Sequence, residues 1–74
     1  MKNDFKKIGS IIREARINKK QTQQSLADEC GISRTYLADI ESGRNLGGLQ
    51  VTARLFGVLG LDLNLIKNVV NTDN

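Results

Sequence analysis

The sequence predicts an all-α fold of four to five short helices closed by one short β-strand, and three observations carry that reading. Apolar residues recur at helical spacing in stretches that open near Phe5, Gln23, Arg34 and Leu49. The middle two are bracketed by cap residues. Thr22 and Ser33 stand where a hydroxyl accepts from a first-turn N–H, and Gly31 and Gly43 where a chain turns left-handed past a helix end. Only Leu61 to Leu65 alternates apolar and polar residues at the period of a strand.

Taken in order, Met1 to Asp4 is polar, and Asp4 is placed to cap a helix from Phe5 to about Asn18 with the stripe Phe5, Ile8, Ile12 and Ala15. Gly9 weakens that helix by about 1 kcal/mol relative to alanine, and either close packing or simple tolerance accounts for it. Lys6, Lys7, Arg13, Lys19 and Lys20 fall off the stripe, as on a solvated face. Lys19 and Lys20 also lie just before the Thr22 cap, where they would attract a phosphate to a helix start.

The second helix carries Leu26, Ala27 and Cys30 inward and stops at Gly31. Its start is expected to be less secure than usual. Gln21 stands where an apolar residue would staple the entry, and Ser25 where a Glu or Gln would close a capping box. Ile32 points inward, and Ser33 opens a third helix with Leu37 and Ile40 on one face and Arg34, Thr35, Ala38 and Asp39 on the others.

Arg44 to Gly48 reads as a loop, with Gly48 a poor cap for a fourth helix from Leu49 to about Leu59. Its stripe is Leu49, Ala53, Phe56 and Leu59, with Phe56 expected in the core. Val51, Leu55 and Val58 widen the apolar surface, as in a helix covered on two sides, the second by another subunit. After Gly60 comes the strand, expected over about 61–66. A lone strand leaves its backbone unpaired, so the simplest partner is the same strand from a second copy, with Leu61, Leu63, Leu65 and Val58 forming the dimer. The competing reading has these leucines packing on the core. Residues 67–74 are a polar tail, expected to be mobile.

Composition narrows the function classes. At 74 residues the chain is expected to be a single domain, its core over about 5–60, with no room for a sensor or catalytic domain. A domain of this size buries only about 60% of its unfolded surface and gains from oligomerisation. Eleven Lys and Arg against eight Asp and Glu give a net charge of +3, which suits a polyanion but equally suits plain solubility. One cysteine and no histidine leave no Cys/His zinc cluster and no histidine-based triad, so neither a metal nor a cofactor is expected and the chain is read as no enzyme. Cys30 reads as a small buried hydrophobe. No apolar run is long enough for a membrane helix, and Met1 to Lys7 is polar where a signal peptide turns apolar, so a cytoplasmic protein without membrane contact is expected.

Two short capped helices joined by a glycine-containing turn match the helix-turn-helix motif, whose second helix enters the DNA major groove. The run TQQSLADECGISRTYLADIESG resembles the core signature of the Xre family, which includes the lambda and 434 repressors and Cro proteins. The resemblance rests on Thr22 and Gln23, Leu26-Ala27, Gly31, Ile32, Ser33, Leu37, Ile40 and Glu41-Ser42-Gly43, all in unbroken register. It implies a lambda-repressor-like domain that binds double-stranded DNA, and an ion pair in which Arg16 meets Glu41 and ties the first helix to the third. The leucine-rich segment after the last helix is similar to HipB-like antitoxins, which implies a homodimer and a kinase-type toxin as a further partner.

Recognition helices present the residues at and just after the N-cap, and one turn later, to base edges. Those are Ser33, Arg34, Thr35 and Asp39. Arg34 is the best candidate, since a guanidinium donates two bonds to guanine O6 and N7. Thr35 suits a thymine methyl, and Asp39 either accepts from cytosine N4 or, slightly favoured, orients Arg34. Phosphate contacts are assigned to Thr22, Gln23, Arg44 and Asn45, with Tyr36 standing between such a contact and packing. The expected function is a dimeric repressor on a near-palindromic operator, and within it an antitoxin. A phage repressor or a restriction-modification controller suits the same features, and a protein-interaction module that has lost DNA binding is the competing class.

Overall fold

The computed structural model describes residues 4–45 and 47–65, of which Asp4 is described in its backbone alone. The described residues form four helices, α1 (Asp4–Asn18), α2 (Gln23–Cys30), α3 (Arg34–Ser42) and α4 (Leu49–Leu59). Thr22 caps α2 by accepting from the Ser25 N–H at 3.0 Å, and Ser33 caps α3 by accepting from the Tyr36 N–H at 3.0 Å. Gly48 opens α4 without a side-chain cap.

The core is built where the helical stripes converge. Ile8 and Ile12 from α1, Leu26, Ala27 and Cys30 from α2, Leu37 and Ile40 from α3, and Leu55, Phe56 and Leu59 from α4 are buried together. Two stripes shift from the expected positions. Phe5 is exposed at 44% and Leu49 at 77%, each in the first turn of its helix. The buried face of α4 is instead Thr52, Leu55, Phe56 and Leu59, the i, i+3, i+4, i+7 set offset from the expected one.

The glycines separate into two kinds. Gly31 and Gly43 take left-handed backbone at φ +70° and +83°, where any side chain is strained. Gly9 lies in regular helix and serves close packing: a Cβ there would run into the carbonyl oxygens of Ile40 and Glu41. Thus α1 crosses the C-terminal half of α3 backbone against side-chain-free backbone. Gly43 also lies against Lys6, so the start of α1 meets the end of α3.

The end of α1 had no glycine to mark it. Lys20 takes φ +60°, and Gln21 N–H donates to the Arg16 carbonyl at 3.1 Å, closing a Schellman-type turn without the usual residue. Two cations satisfy distant helix ends. Arg54 of α4 donates to the Cys30 carbonyl at 2.8 Å, and Lys19 donates to the Val58 carbonyl at 3.1 Å, each at a C-terminus where positive charge is favoured.

The strand expected over about 61–66 is not formed in its described part. Leu61 follows the Gly60 turn, Asp62 accepts from the Asn64 N–H at 2.9 Å, and Asn64 and Leu65 are helical. An aspartate that bonds its own backbone two residues on favours a turn over a strand, which alternation alone does not register. Leu61 and Leu65 pack on the core, as the competing reading had it, while Leu63 is 48% exposed. Residue 66 and the polar tail at 67–74 lie outside the described residues.

Candidate nucleic-acid interface

The residues expected at DNA lie on the first residues of α2, the first turn of α3 and the loop after it. Because both caps hold their helix starts in register, Gln23 and Arg34, each the first residue of its helix, come side by side. Arg34 is exposed, and its Nη1 donates to Gln23 Oε1 at 3.4 Å. Ser33 and Thr35 are exposed beside it, with the Ser33 oxygen engaged as the α3 cap. This leaves its O–H free to donate outward.

Behind this surface lies a buried polar network. Arg16 Nε meets Glu41 Oε2 at 2.7 Å and Arg16 Nη2 meets Glu41 Oε1 at 3.0 Å, a two-pronged contact with the carboxylate side chain only 3% exposed. Arg16 Nη1 donates further to the Gln21 carbonyl at 2.9 Å, and Gln23 Nε2 donates to Glu41 Oε1 at 3.0 Å. Glu41 therefore joins α1, α2 and α3. Gln21, where a staple residue was expected, donates to Ser25 at 3.3 Å and to Glu29 at 2.7 Å, a polar substitute for the missing apolar entry contact.

Asp39 is where the geometry departs from the orienting role assigned to it. Its Oδ1 lies 3.6 Å from Arg44 Nη1, and among the described residues it forms no ion pair with Arg34, which turns to Gln23 instead. Arg44 is exposed and its N–H donates to the Asp39 carbonyl at 3.0 Å, so helix end and loop start are held together. Asn45 spends its side-chain oxygen on the Gly47 N–H at 2.9 Å, shaping the loop. Tyr36 is half-buried on the core with its hydroxyl close to Gly47, which favours packing over a phosphate contact. Lys19 also departs from expectation, since its ammonium is turned to α4.

The donors that sequence reasoning missed are Lys19 and Arg54 as helix-end partners and Gln23 as a bridge. Each acts on an atom far away in the chain, so no local pattern could have marked it. Cys30 is buried, and burial raises its thiol above the ordinary 9.0, with the nearby Glu29 charge raising it and Arg54 lowering it. No group of His, Cys, Asp and Glu among the described residues is arranged to hold a metal, and no described helix is long and apolar enough to cross a membrane.

The helix-turn-helix family matches residues 12–65, which takes in the end of α1, both cap-bounded helices and α4. The chain belongs to the helix-turn-helix family. It is a DNA-binding transcription regulator. Among its relatives is the ImmF control region 10 kDa protein of Bacillus phage phi105, 42% identical over 64 residues that cover 86% of this chain and 71% of that one. The immunity repressor protein of the same phage is 37% identical over 59 residues, 80% of this chain but 41% of the repressor. Control protein C.BamHI of Bacillus amyloliquefaciens is 38% identical over 60 residues, 76% of this chain and 74% of that one. No solved structure matches the chain.

Proposed function

We propose that this regulator is a sequence-specific repressor that reads a near-palindromic operator as a homodimer, in the manner of a phage-type or restriction-type control protein. The observation that carries this reading is the exposed Arg34 at the first position of α3, set between the Ser33 cap and Thr35 with its guanidinium beside Gln23. Ser33, Arg34 and Thr35 face base edges, with Arg34 donating to a guanine. Thr22, Gln23 and the first-turn N–H groups of α2 meet one phosphate run, while Arg44 and Asn45 meet another.

The names of the relatives, a phage control-region protein, an immunity repressor and a restriction-system control protein, support control of this kind over an antitoxin. The antitoxin reading leaned on a dimerising strand, and Leu61 to Leu65 contains none. For the second copy, the exposed Leu63 remains as apolar surface, whereas Val58, Leu61 and Leu65 pack, partly buried, on this chain's own core. Two recognition helices in a symmetric dimer lie about one DNA turn apart, on the order of 34 Å.

The test is binding of the purified chain to the DNA upstream of its gene across a salt series, beside Arg34→Ala. Salt-sensitive binding to a palindrome that loses its selectivity in Arg34→Ala is the expected result. Weak binding, alike on all duplexes and unchanged by the substitution, would sink the repressor reading in favour of a protein-interaction module.

A further inference from the structure

We propose that Lys6, in the first turn of α1, is a phosphate-binding residue that completes the side of the interface formed by the α3–α4 loop. The inference rests on the reading that this loop meets phosphates. Gly43 ends α3 at φ +83°, and a Cβ there would lie 2.5 Å from Lys6 Cγ and 2.8 Å from Lys6 Cα. The bare glycine is therefore a seat across which the Lys6 stem lies. An aliphatic stem can rest on a neighbour while its charged head stays in water, and Lys6 is exposed as that requires. Arg44, the residue after the seat, is exposed too. Two cations thus flank one glycine, one from α1 and one from the loop.

Capping of a helix end does not account for Lys6. Positive charge is favoured at a helix C-terminus, and Lys19 and Arg54 take that role by donating to the Val58 and Cys30 carbonyls. At the end of α3 the carbonyls are already served. The Asp39 carbonyl accepts from the Arg44 and Asn45 N–H groups and from the Ser42 hydroxyl, and the Ile40 carbonyl accepts from the Gly43 N–H. Among the described residues the Lys6 ammonium meets neither a carbonyl nor a carboxylate. Arg44 has the Asp39 carboxylate at 3.6 Å, so of the two flanking cations Lys6 is the one whose charge is uncommitted. An ammonium in that place fits an oxygen anion of the DNA backbone, held as a point charge and without preference for a base.

Lys7 supplies the control. It is exposed and carries the same charge one residue on, but successive residues of an α-helix point about 100° apart, so its side chain leaves α1 away from Gly43. The experiment is binding of the full chain to a random duplex and to one selected from a randomised library, from about 50 to 200 mM salt. Wild type is compared with Lys6→Met, Lys6→Arg, Lys7→Met and Arg44→Gln, with circular dichroism and melting as fold controls. Methionine keeps a stem for the Gly43 seat and removes the charge. Lys6→Met is expected to flatten the salt slope by about 0.9, which shrinks the affinity lost over that range by about three- to fourfold. The change is alike on both duplexes and leaves selectivity intact. Lys6→Arg keeps the wild-type slope, and Lys7→Met moves it far less than Lys6→Met does.

If Lys6→Met and Lys7→Met act equally, the effect is one of net charge and the inference is overturned. A wild-type slope in Lys6→Met, with a flattened one in Arg44→Gln, overturns it as well and leaves the loop reading standing. When neither Lys6→Met nor Arg44→Gln moves the slope, the loop is not at phosphates, and the reading on which the inference rests fails with it. A loss in Lys6→Met confined to the selected duplex would give Lys6 a base as its partner and end the phosphate role. Should Lys6→Met not fold, Lys6→Gln takes its place, since it also keeps a stem without a charge, and the same outcomes decide.

Discussion

Arg16 and Glu41, twenty-five positions apart, hold each other by two parallel hydrogen bonds of 2.7 and 3.0 Å, with their side chains only 11% and 3% exposed. At that burial neither charge can be left alone cheaply. Removing one partner of such a pair costs about 3 to 5 kcal/mol when the other stays uncompensated. Glu41→Ala strands Arg16 and also frees the Gln23 amide, whereas Asp39→Ala loses only an exposed 3.6 Å contact to Arg44. Thermal melting is expected to place Glu41→Ala far below Asp39→Ala, and equal melting temperatures would remove the pair from the account of stability.

Two glycines in helices are expected to respond to alanine with opposite signs. At Gly9 a Cβ meets the Ile40 and Glu41 carbonyl oxygens, which are backbone and cannot swing aside, so Gly9→Ala forces α1 and α3 apart. The expected loss is about 1 to 3 kcal/mol, the usual cost of overpacking. At Gly57 of α4 an added Cβ meets nothing within 4 Å. Gly57→Ala is expected to gain about 0.5 to 1 kcal/mol from helix propensity alone. Denaturant melts of both variants check the pair of signs.

These cases show what the sequence made legible. Helices bounded by a hydroxyl cap and a glycine were placed to the residue, because Thr22, Ser33, Gly31 and Gly43 act on atoms a few positions away. Features that depend on a second element were not, apart from the Arg16–Glu41 pair, which the family resemblance implied. Gly9 could be placed in a helix but not explained, since its reason is a carbonyl of α3, and the partner of Asp39 was misassigned because loop geometry brings Arg44 to it. At Leu61 to Leu65 the alternation of leucines was outweighed by the Asp62 turn and by burial of two leucines on the core.

The α1 turn is the clearest case of a local feature with no local signal, and it carries a prediction. Lys20 holds φ +60° with a side chain that gives no relief there, whereas glycine adopts that conformation freely. Lys20→Gly is expected to stabilise the protein by roughly 0.5 to 1 kcal/mol, since a single left-handed non-glycine residue costs about 1 to 2 kcal/mol and glycine gives back part in unfolded-state entropy. Chemical denaturation checks it, and a destabilised variant would show that the Lys20 side chain contributes more than its backbone costs.

Cys30 sets a pH dependence whose sign follows from burial. Its thiol is raised above 9.0 in the fold, chiefly by desolvation, so the folded chain keeps a proton that the unfolded chain releases first. The stabilising contribution is complete below the unfolded value and is lost as pH rises through the folded one. As pH rises from below 9.0 through the raised value of the folded chain, wild type is expected to lose melting temperature faster than Cys30→Ala. The two proteins differ only at this side chain, so the difference isolates the thiol. Parallel slopes would mean that the thiolate is tolerated where it stands.

Asp39 restrains Arg44, and its removal is expected to act on affinity before specificity. The carboxylate stands one helical turn from Thr35 and faces the loop cation at 3.6 Å, on the surface proposed to approach phosphates. Its charge opposes every phosphate within a Debye length of about 10 Å at 0.1 M salt. It also competes with phosphate for Arg44. Asp39→Asn keeps the shape, removes the charge and frees Arg44, so binding to an arbitrary duplex is expected to tighten and its salt dependence to steepen by about one phosphate contact. Fluorescence titration of random and preferred duplexes separates the outcomes. Tighter binding to both with a smaller ratio between them identifies Asp39 as the group that holds non-specific binding down. A loss confined to the preferred duplex would instead give it a base, cytosine N4, as its partner.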